Sequence, residues 1–298
     1  MTATLSLSIC SERLNYLANS RTAASYLEIG VSHGNTFFKI PLSFKVAVDP
    51  AFPFDYLKQG RSGEVFFPVT SDEFFAGLTN QNSEIYRLIE PNFIDGKVAF
   101  DLIFIDGLHT FEQTLRDFEN SLKFSHDHTI WVLDDTIPFD EYSAIPDMSS
   151  SLAKRKKARM KGMPWHGDVF KVIPAIHDSF PEHSYCTLIE GNPQTVIWKA
   201  NRRKIVPAFA SNKTLKSMSC YDIARYVKLY MLSTAAELPN YLGQSIEPET
   251  VEQPDALKRL NSIFYSDTKL KFLGRILKET FSSFIARFRR SIRKRMSS

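Results

Sequence analysis

The stretch DLIFIDGLHTFEQTLRDFENSL (residues 101–122) decides how this sequence reads. Its first six residues form an apolar run that closes on an acid, Asp106, with Gly107 directly behind it. A short continuous apolar run bounded by a turn predicts a strand buried on both faces. Beyond it, Phe111, Leu115, Phe118 and Leu122 recur at spacings of four, three and four. That period predicts a helix with one apolar face, and with Glu112, Arg116, Asp117 and Glu119 turned outward. A buried strand running into an amphipathic helix is the repeating unit of a parallel sheet covered by helices.

The same pattern extends on both sides. SYLEIG (25–30), KVAVD (45–49), EVFFPV (64–69) and TIWVLDD (129–135) are apolar runs rich in β-branched or aromatic residues, each read as a strand. Two more, SYCTLIE (184–190) and QTVIWKA (194–200), are separated only by Gly191-Asn192-Pro193. So tight a connection permits a hairpin and forbids a parallel crossover. The expected fold is therefore α/β: a doubly wound, Rossmann-like sheet of seven strands, mostly parallel, with an antiparallel last strand. Residues 201–274 read as mixed and mainly helical.

Composition agrees with a globular chain, at 43% hydrophobic and 23% charged over 298 residues. No run approaches the roughly 18 apolar residues of a membrane span. The opening MTATLSLSIC lacks a basic region and a cleavage site. Cys10, Cys186 and Cys220 show neither metal spacing nor an even count, so a cytoplasmic protein without structural disulfides is expected. Charge divides the chain. Residues 1–200 carry 18 Lys/Arg against 25 Asp/Glu, and residues 201–298 carry 19 against 8. This argues for a compact domain over 1–200 and a helical extension over 201–298 that meets a partner.

Ligands of such sheets bind beyond the carboxyl ends of the strands. The first strand leads into Glu28-Ile29-Gly30-Val31-Ser32-His33-Gly34, where Gly30 and Gly34 would shape a turn around Ser32. An acid ahead of the first glycine would repel a diphosphate but suits a cationic group. Asp49, closing the second strand, can accept two ribose hydroxyls or cap a turn before Pro50. Ser71 and Asp72, after the third, stand where a base amino group would be held, or cap a helix starting near Glu73. Asp106, Asp134 and Asp135, after the fourth and fifth, gather hard oxygen ligands that suit Mg²⁺; the bland alternative has Asp135 capping a turn before Thr136. His109 is the leading general base and His166, in Pro164-Trp165-His166-Gly167-Asp168, the second.

With these residues in order, the chain resembles the class I S-adenosylmethionine-dependent methyltransferases. The segments YLEIGVSHGNT, KVAVDP, VTSDEFF, FDLIFIDGLHTFEQTLRDFENSL and WVLDDTIP carry the likeness. The IDGLHTFEQ segment is similar to a bacterial subgroup associated with sugar or polysaccharide modification. The resemblance spans roughly residues 20–200. It implies Glu28, Gly30, Ser32 and Gly34 near the methionine part of S-adenosylmethionine, Asp49 at the ribose, Ser71 or Asp72 near adenine, and Asp106 between cofactor and acceptor. The acidic set resembles the metal site of catechol-type O-methyltransferases, from which this chain departs by placing Asp134-Asp135 where that pattern has an Asp-Asn pair. The implied reaction is O-methylation of a sugar-containing or other small acceptor.

The long connection from Pro138 to Pro164 carries Lys154, Arg155, Lys156, Lys157, Arg159 and Lys161 without an acid among residues 154–161. It reads as an electropositive wall for an acidic acceptor or as a solvated run. In residues 275–298, Leu277, Phe281, Phe284, Ile285, Phe288 and Ile292 fall at helical spacing among eight Lys/Arg. That segment suits a peripheral membrane contact or docking on a second subunit in a homo-oligomer. Charge without a recognition motif gives no case for nucleic acid. The rival readings are a nicotinamide-dependent oxidoreductase and a non-catalytic membrane-associated binding module.

Overall fold

In the computed structural model of the chain, residues 9–264 are described, apart from 161, 163, 204–206, 210, 211, 249 and 254. The basic segment 275–298 lies outside the described residues. All seven expected strands form: β1 (Ser25–Ile29), β2 (Phe44–Val48), β3 (Glu64–Phe67), β4 (Phe100–Ile105), β5 (Ser125–Leu133), β6 (His183–Leu188) and β7 (Gln194–Lys199). An eighth, β8 (Leu232–Ser233), comes from the extension. The order across the sheet is β3-β2-β1-β4-β5-β7-β6-β8. Only β7 runs against the others, pairing antiparallel with both β5 and β6, while β8 pairs parallel with β6. Chain order reverses at β1, which has β2 on one side and β4 on the other. At such a switch point neighbouring connections leave to opposite faces and a crevice opens.

Continuous burial follows from the apolar runs. Every residue of β1 and β2 is buried, as sheets covered on both faces require. The covering helices used below are α1 (Cys10–Ser20), α2 (Ser71–Thr79), α3 (Phe111–Ser121), α4 (Met148–Lys157), α5 (Val172–Ser179) and α6 (Ala256–Ile263). Helix α3 buries Phe111 and Phe118 as its period requires, but it also buries Asp117, which the helical wheel turned outward. The apolar face is wider than the Phe/Leu stripe because Thr114, Asp117 and Ser121 also pack inward.

The charge boundary near residue 200 does not separate two cores. One hydrophobic cluster runs from Leu14 through the sheet to Leu215, Tyr230, Leu260 and Phe264. The extension supplies β8, receives the Trp198 indole N–H at the Gln244 carbonyl (2.8 Å) and donates the Tyr230 hydroxyl to the Phe170 carbonyl (2.8 Å). Arg202 is its main fastener. Its buried guanidinium donates to the carbonyls of His177 (2.8 Å) and Phe180 (3.0 Å) at the end of α5, and to the His183 carbonyl (2.8 Å) in β6. A helix ends with unpaired carbonyls and partial negative charge, so a fixed cation there satisfies both needs. Among the described residues no helix is long and apolar enough to cross a membrane.

Arg202→Ala is expected to cost about 3 kcal/mol, because it strips several carbonyls of a charged donor at once. Chemical denaturation measures this, and an unchanged midpoint would remove the fastening role. Arg202→Lys should recover little, since an ammonium cannot span the same fork of acceptors.

Candidate active site

A cavity of about 600 Å³ opens at the carboxyl ends of β1–β4. It exists because the turns after β1 and β4 touch. At Gly30 (φ +84°) an added Cβ would lie 1.9 Å from the Asp106 carbonyl oxygen, so any side chain there would drive the two strand ends apart. The turn then passes through Ser32, held at φ +45°. Its amide donates to Asp49 Oδ2 (2.8 Å), and the Ala51 amide donates to Asp49 Oδ1 (2.9 Å). Asp49 thus ties the β1 turn to the end of β2 while its half-exposed carboxylate faces the cavity.

Gly30, Ser32, Asp49, Ser71, Asp72 and Asp106 all line this cavity. Glu28 and Gly34, placed beside the cofactor by the sequence, are not among its lining. Glu28 lies within β1 on the same face as Tyr26, whose hydroxyl donates to its Oε2 at 2.6 Å. Burial pushes its carboxyl up to about 8, against the opposing Tyr26 bond. It is buried in β1, directly before Ile29, which lines the cavity. Gly34 packs its α-carbon against the Phe38 ring.

At the third strand, the capping alternative resolves in favour of a neighbour. Thr70 caps α2 in a reciprocal box with Glu73, so Ser71 and Asp72 are released toward α3. There Gln113 Nε2 lies 3.1 Å from Ser71 Oγ, 3.3 Å from Asp72 Oδ1 and 2.9 Å from Asp117 Oδ1. Arg116 pairs with the outer oxygen of Asp72 (2.8 Å). Gln113 and Asp117 also line the cavity, and burial raises the Asp117 carboxyl to about 6. The sequence reading missed both. A Gln and an Asp four residues apart share one helix face, which was the available signal.

The far end of the cavity is built around His109. Its Nε2 lies 3.2 Å from Asp106 Oδ1, and its Nδ1 lies 2.8 Å from Asp135 Oδ2. The ring stacks on Trp165 with centroids 4.8 Å apart, and the Trp165 carbonyl lies 2.9 Å from Nδ1. His109 and Asp135 both hold positive φ, +55° and +58°, conformations that cost non-glycine residues and concentrate at functional sites. Gly167 (φ +57°) lets the Trp165 loop sit on the His109 backbone, where a Cβ would fall 1.6 Å from the His109 carbonyl oxygen.

Burial opposes a charge on His109, but the bonds to Asp106 and Asp135 outweigh it and push the imidazole up to about 11. Burial raises Asp106 to about 6 despite the neighbouring imidazole. Burial also opposes charge on Asp135, yet His166 and His109 together hold it below the usual carboxylate range. The two carboxylates thus favour the protonated form of the His109 imidazole. His166 stands behind the site, 2% exposed, edge-on to Phe139 and with Nε2 3.7 Å from Asp135 Oδ1. Burial pulls its imidazole below the ordinary histidine range against the pull of Asp135, and it is not among the cavity lining. Its place is that of a support for Asp135.

The expected metal trio is rearranged. The atoms that could hold a cation belong to Asp106, His109 and Asp135, all within 4.8 Å of one another. Asp134 is not in that trio: its Oδ1 accepts from Asn192 Nδ2 (2.6 Å) and from the Asp135 amide (2.8 Å), and the same Asn192 Nδ2 also donates to Asp135 Oδ1 (2.8 Å). The other oxygen of Asp135, Oδ2, is the one that reaches His109. Two carboxylates and an imidazole fit a small divalent cation. The single positive charge of His109 now occupies the position between them.

Residues 27–136 match the family model described as "Methyltransferase domain". Solved structures similar to this chain include the O-methyltransferase from Bacillus cereus in complex with SAH. It is 18% identical with a TM-score of 0.42, over 67% of this chain and 84% of that one. An O-methyltransferase from Streptomyces achromogenes involved in tomaymycin synthesis, in complex with SAM, is 14% identical with a TM-score of 0.41, over 64% and 79%. A SAH-bound methyltransferase from Podospora anserina is 14% identical with a TM-score of 0.41, over 65% and 80%. No curated protein matches the chain.

Nitrogen-detected NMR of the metal-free protein should find both His109 ring nitrogens protonated at neutral pH. Asp135→Asn should bring its titration down toward the ordinary range near about 6.5. A His109 that titrates normally in the unsubstituted protein would break the bridge described above.

Proposed function

We propose that this chain is an S-adenosylmethionine-dependent O-methyltransferase acting on a sugar-containing or other small acceptor. The observation that carries the reading is the order of groups along one cavity: a glycine turn at β1, a ribose-type acid at β2, an acceptor-rich polar set at β3 and an acid-imidazole cluster at β4 and β5. A nucleoside with an amino-acid arm fits that order. A dinucleotide does not. The turn after Gly30 runs into a three-residue 3₁₀ helix, Phe37–Lys39, which offers no long helix N-terminus to hold a diphosphate.

In this reading Asp49 accepts the ribose hydroxyls, and the turn at Gly30 and Ser32 brings backbone against the methionine arm. Methyl transfer is an in-line displacement at sulfur, so placement of the acceptor oxygen supplies much of the rate. Asp106 and His109 stand where that oxygen would lie. As an imidazolium, His109 can orient an oxygen that carries negative charge. It acts as a base only in the form that has given up a proton and a carboxylate partner. Asp106 and Asp135, with His109 or Asp134 completing the set, would hold Mg²⁺, which stabilises a developing alkoxide when bound.

The acceptor side is walled by the Pro138–Pro164 connection. Arg155 leaves the expected basic wall, since it is buried in an ion pair with Asp140. Lys154, Lys156, Lys157 and Arg159 remain exposed on and after α4, a surface suited to a phosphorylated or acidic acceptor. The reaction is placed in the cytoplasm, with 275–298 at an anionic membrane surface or a second subunit. Loss of vesicle binding on deleting 275–298 is the measurement for that placement.

Calorimetric titration with S-adenosylhomocysteine and with NAD separates the two enzymatic readings. Binding of the first is expected, and binding of NAD alone would overturn the proposal. Asp49→Ala should weaken S-adenosylhomocysteine roughly 10- to 100-fold; unchanged affinity would strip Asp49 of its ribose role. Chelation is expected to abolish methyl transfer and Mg²⁺ to restore it, whereas activity indifferent to chelator would leave the acid cluster without a cation.

A further inference from the structure

The turn between β6 and β7 lies on the same sheet edge as the cavity, because β6 runs in the direction of β5 and ends there. From this turn Asn192 reaches the acid cluster. Its Nδ2 lies 2.6 Å from Asp134 Oδ1 and 2.8 Å from Asp135 Oδ1. A primary amide has two hydrogens, and here each meets a different carboxylate. The reverse orientation would set the amide oxygen against both acids, so the nitrogen faces them. That orientation leaves Asn192 Oδ1 buried and without a hydrogen bond among the described residues. A turn that served only to reverse the chain would have no reason to carry that cost. The turn itself is held from both sides. Arg13 of α1, 1% exposed, donates from one guanidinium nitrogen to the Asn192 carbonyl (2.6 Å) and to Gln194 Oε1 (2.9 Å). The amide of Thr136, next to Asp135, donates to the Pro193 carbonyl (3.3 Å).

We infer that Asn192 is a positioning residue of the reaction centre: by pinning Asp135 Oδ1 it leaves Oδ2 as the oxygen that meets His109 Nδ1 (2.8 Å). This rests on the reading above, in which the acid-imidazole cluster is where methyl transfer takes place. The last torsion of an aspartate side chain is broad and two-fold, so an unheld carboxylate turns freely. Asp135 also sits beside Asp134, and repulsion between neighbouring acids at a poorly hydrated edge would swing its carboxylate out of line. One shared amide removes both freedoms, since it takes one oxygen from each acid. It is neutral, so it adds no positive charge to compete with His109 for Asp135. The hydrogen bonds then join α1 and the β6–β7 turn to Asp135, and Asp135 to His109 in the turn after β4. A displacement of even 1 Å at a reacting group is costly, so such support bears on the rate although Asn192 touches no reacting atom.

The test uses the full-length, metal-free chain. In proton NMR an imidazole N–H held by a carboxylate resonates at low field and is protected from exchange. The unsubstituted protein should show both His109 N–H signals, together with slow hydrogen exchange at the Asn192 side-chain amide. Asn192→Ala and Asn192→Asp both remove the two donated hydrogens, and only the second adds a charge. Each should lose the Nδ1–H signal to exchange with water while keeping the Nε2–H signal that faces Asp106. Asn192 is not among the cavity lining, so S-adenosylhomocysteine affinity by calorimetry should stay within about twofold. A merely structural role would not split the two ring nitrogens, because general loosening takes both signals and the affinity together. An Nδ1–H signal that survives either variant, or loss of both signals along with the affinity, would overturn the inference. Fast exchange of the Asn192 amide hydrogens in the unsubstituted protein would do so as well, and that measurement needs no variant to fold. Failure of the unsubstituted chain to bind S-adenosylhomocysteine would bring down the cofactor reading and this inference with it, whereas the preceding outcomes sink the inference alone.

Discussion

A backbone contact with no room for a methyl group organises this molecule. The α-carbon of Gly30 lies against the Asp106 carbonyl, and this contact lets the turns after β1 and β4 share one edge of the sheet at its switch point. Asp49 then reaches from β2 to the Ser32 amide. Ser71 and Asp72 follow at β3, and Asp135 at β5. Because parallel strands end on one edge, each of these side chains arrives there without any loop having to search for it.

The cost of that convergence is charge. Asp106, Asp134 and Asp135 crowd a poorly hydrated edge, and burial together with mutual repulsion holds Asp134 well above the usual carboxylate range. The protein offsets this with an imidazolium rather than a lysine or arginine. His109 bridges Asp106 and Asp135 from a left-handed backbone, clamped by the Trp165 ring and by the close approach of Gly167. A planar, removable charge can yield its place to a cation or to a substrate, which a guanidinium cannot do.

The extension belongs to the same economy of packing. It adds β8, extends the single core and caps α5 through Arg202. The loop that carries Trp165 is tied to it as well: Asp168 accepts from the Phe111 amide at the start of α3 and from Lys171, whose ammonium also reaches the Lys216 carbonyl. The loop that stacks on His109 is thus braced by residues that composition had assigned to a separate segment.

The strand positions and that of α3 were legible in the sequence because they follow from local pattern: apolar runs of five to seven residues, the 4-3-4 spacing of α3, and a three-residue link that admits only a hairpin. Strand-end acids were legible too, since a parallel sheet puts all carboxyl ends together. What the sequence could not decide was direction. Asp117 was read outward from its own helix, yet it is buried because Ser71 of α2 supplies a polar partner on that side. Asp134 and Asp135 are equivalent as letters; the left-handed turn at Asp135, after β5, brings that one to His109. Glu28 was read beside the cofactor; that it is buried and accepts from the Tyr26 hydroxyl on the same strand face came only with the fold. Periodicity is a property of neighbouring residues, whereas the partner of a buried charge is set by elements that meet only when the chain has folded.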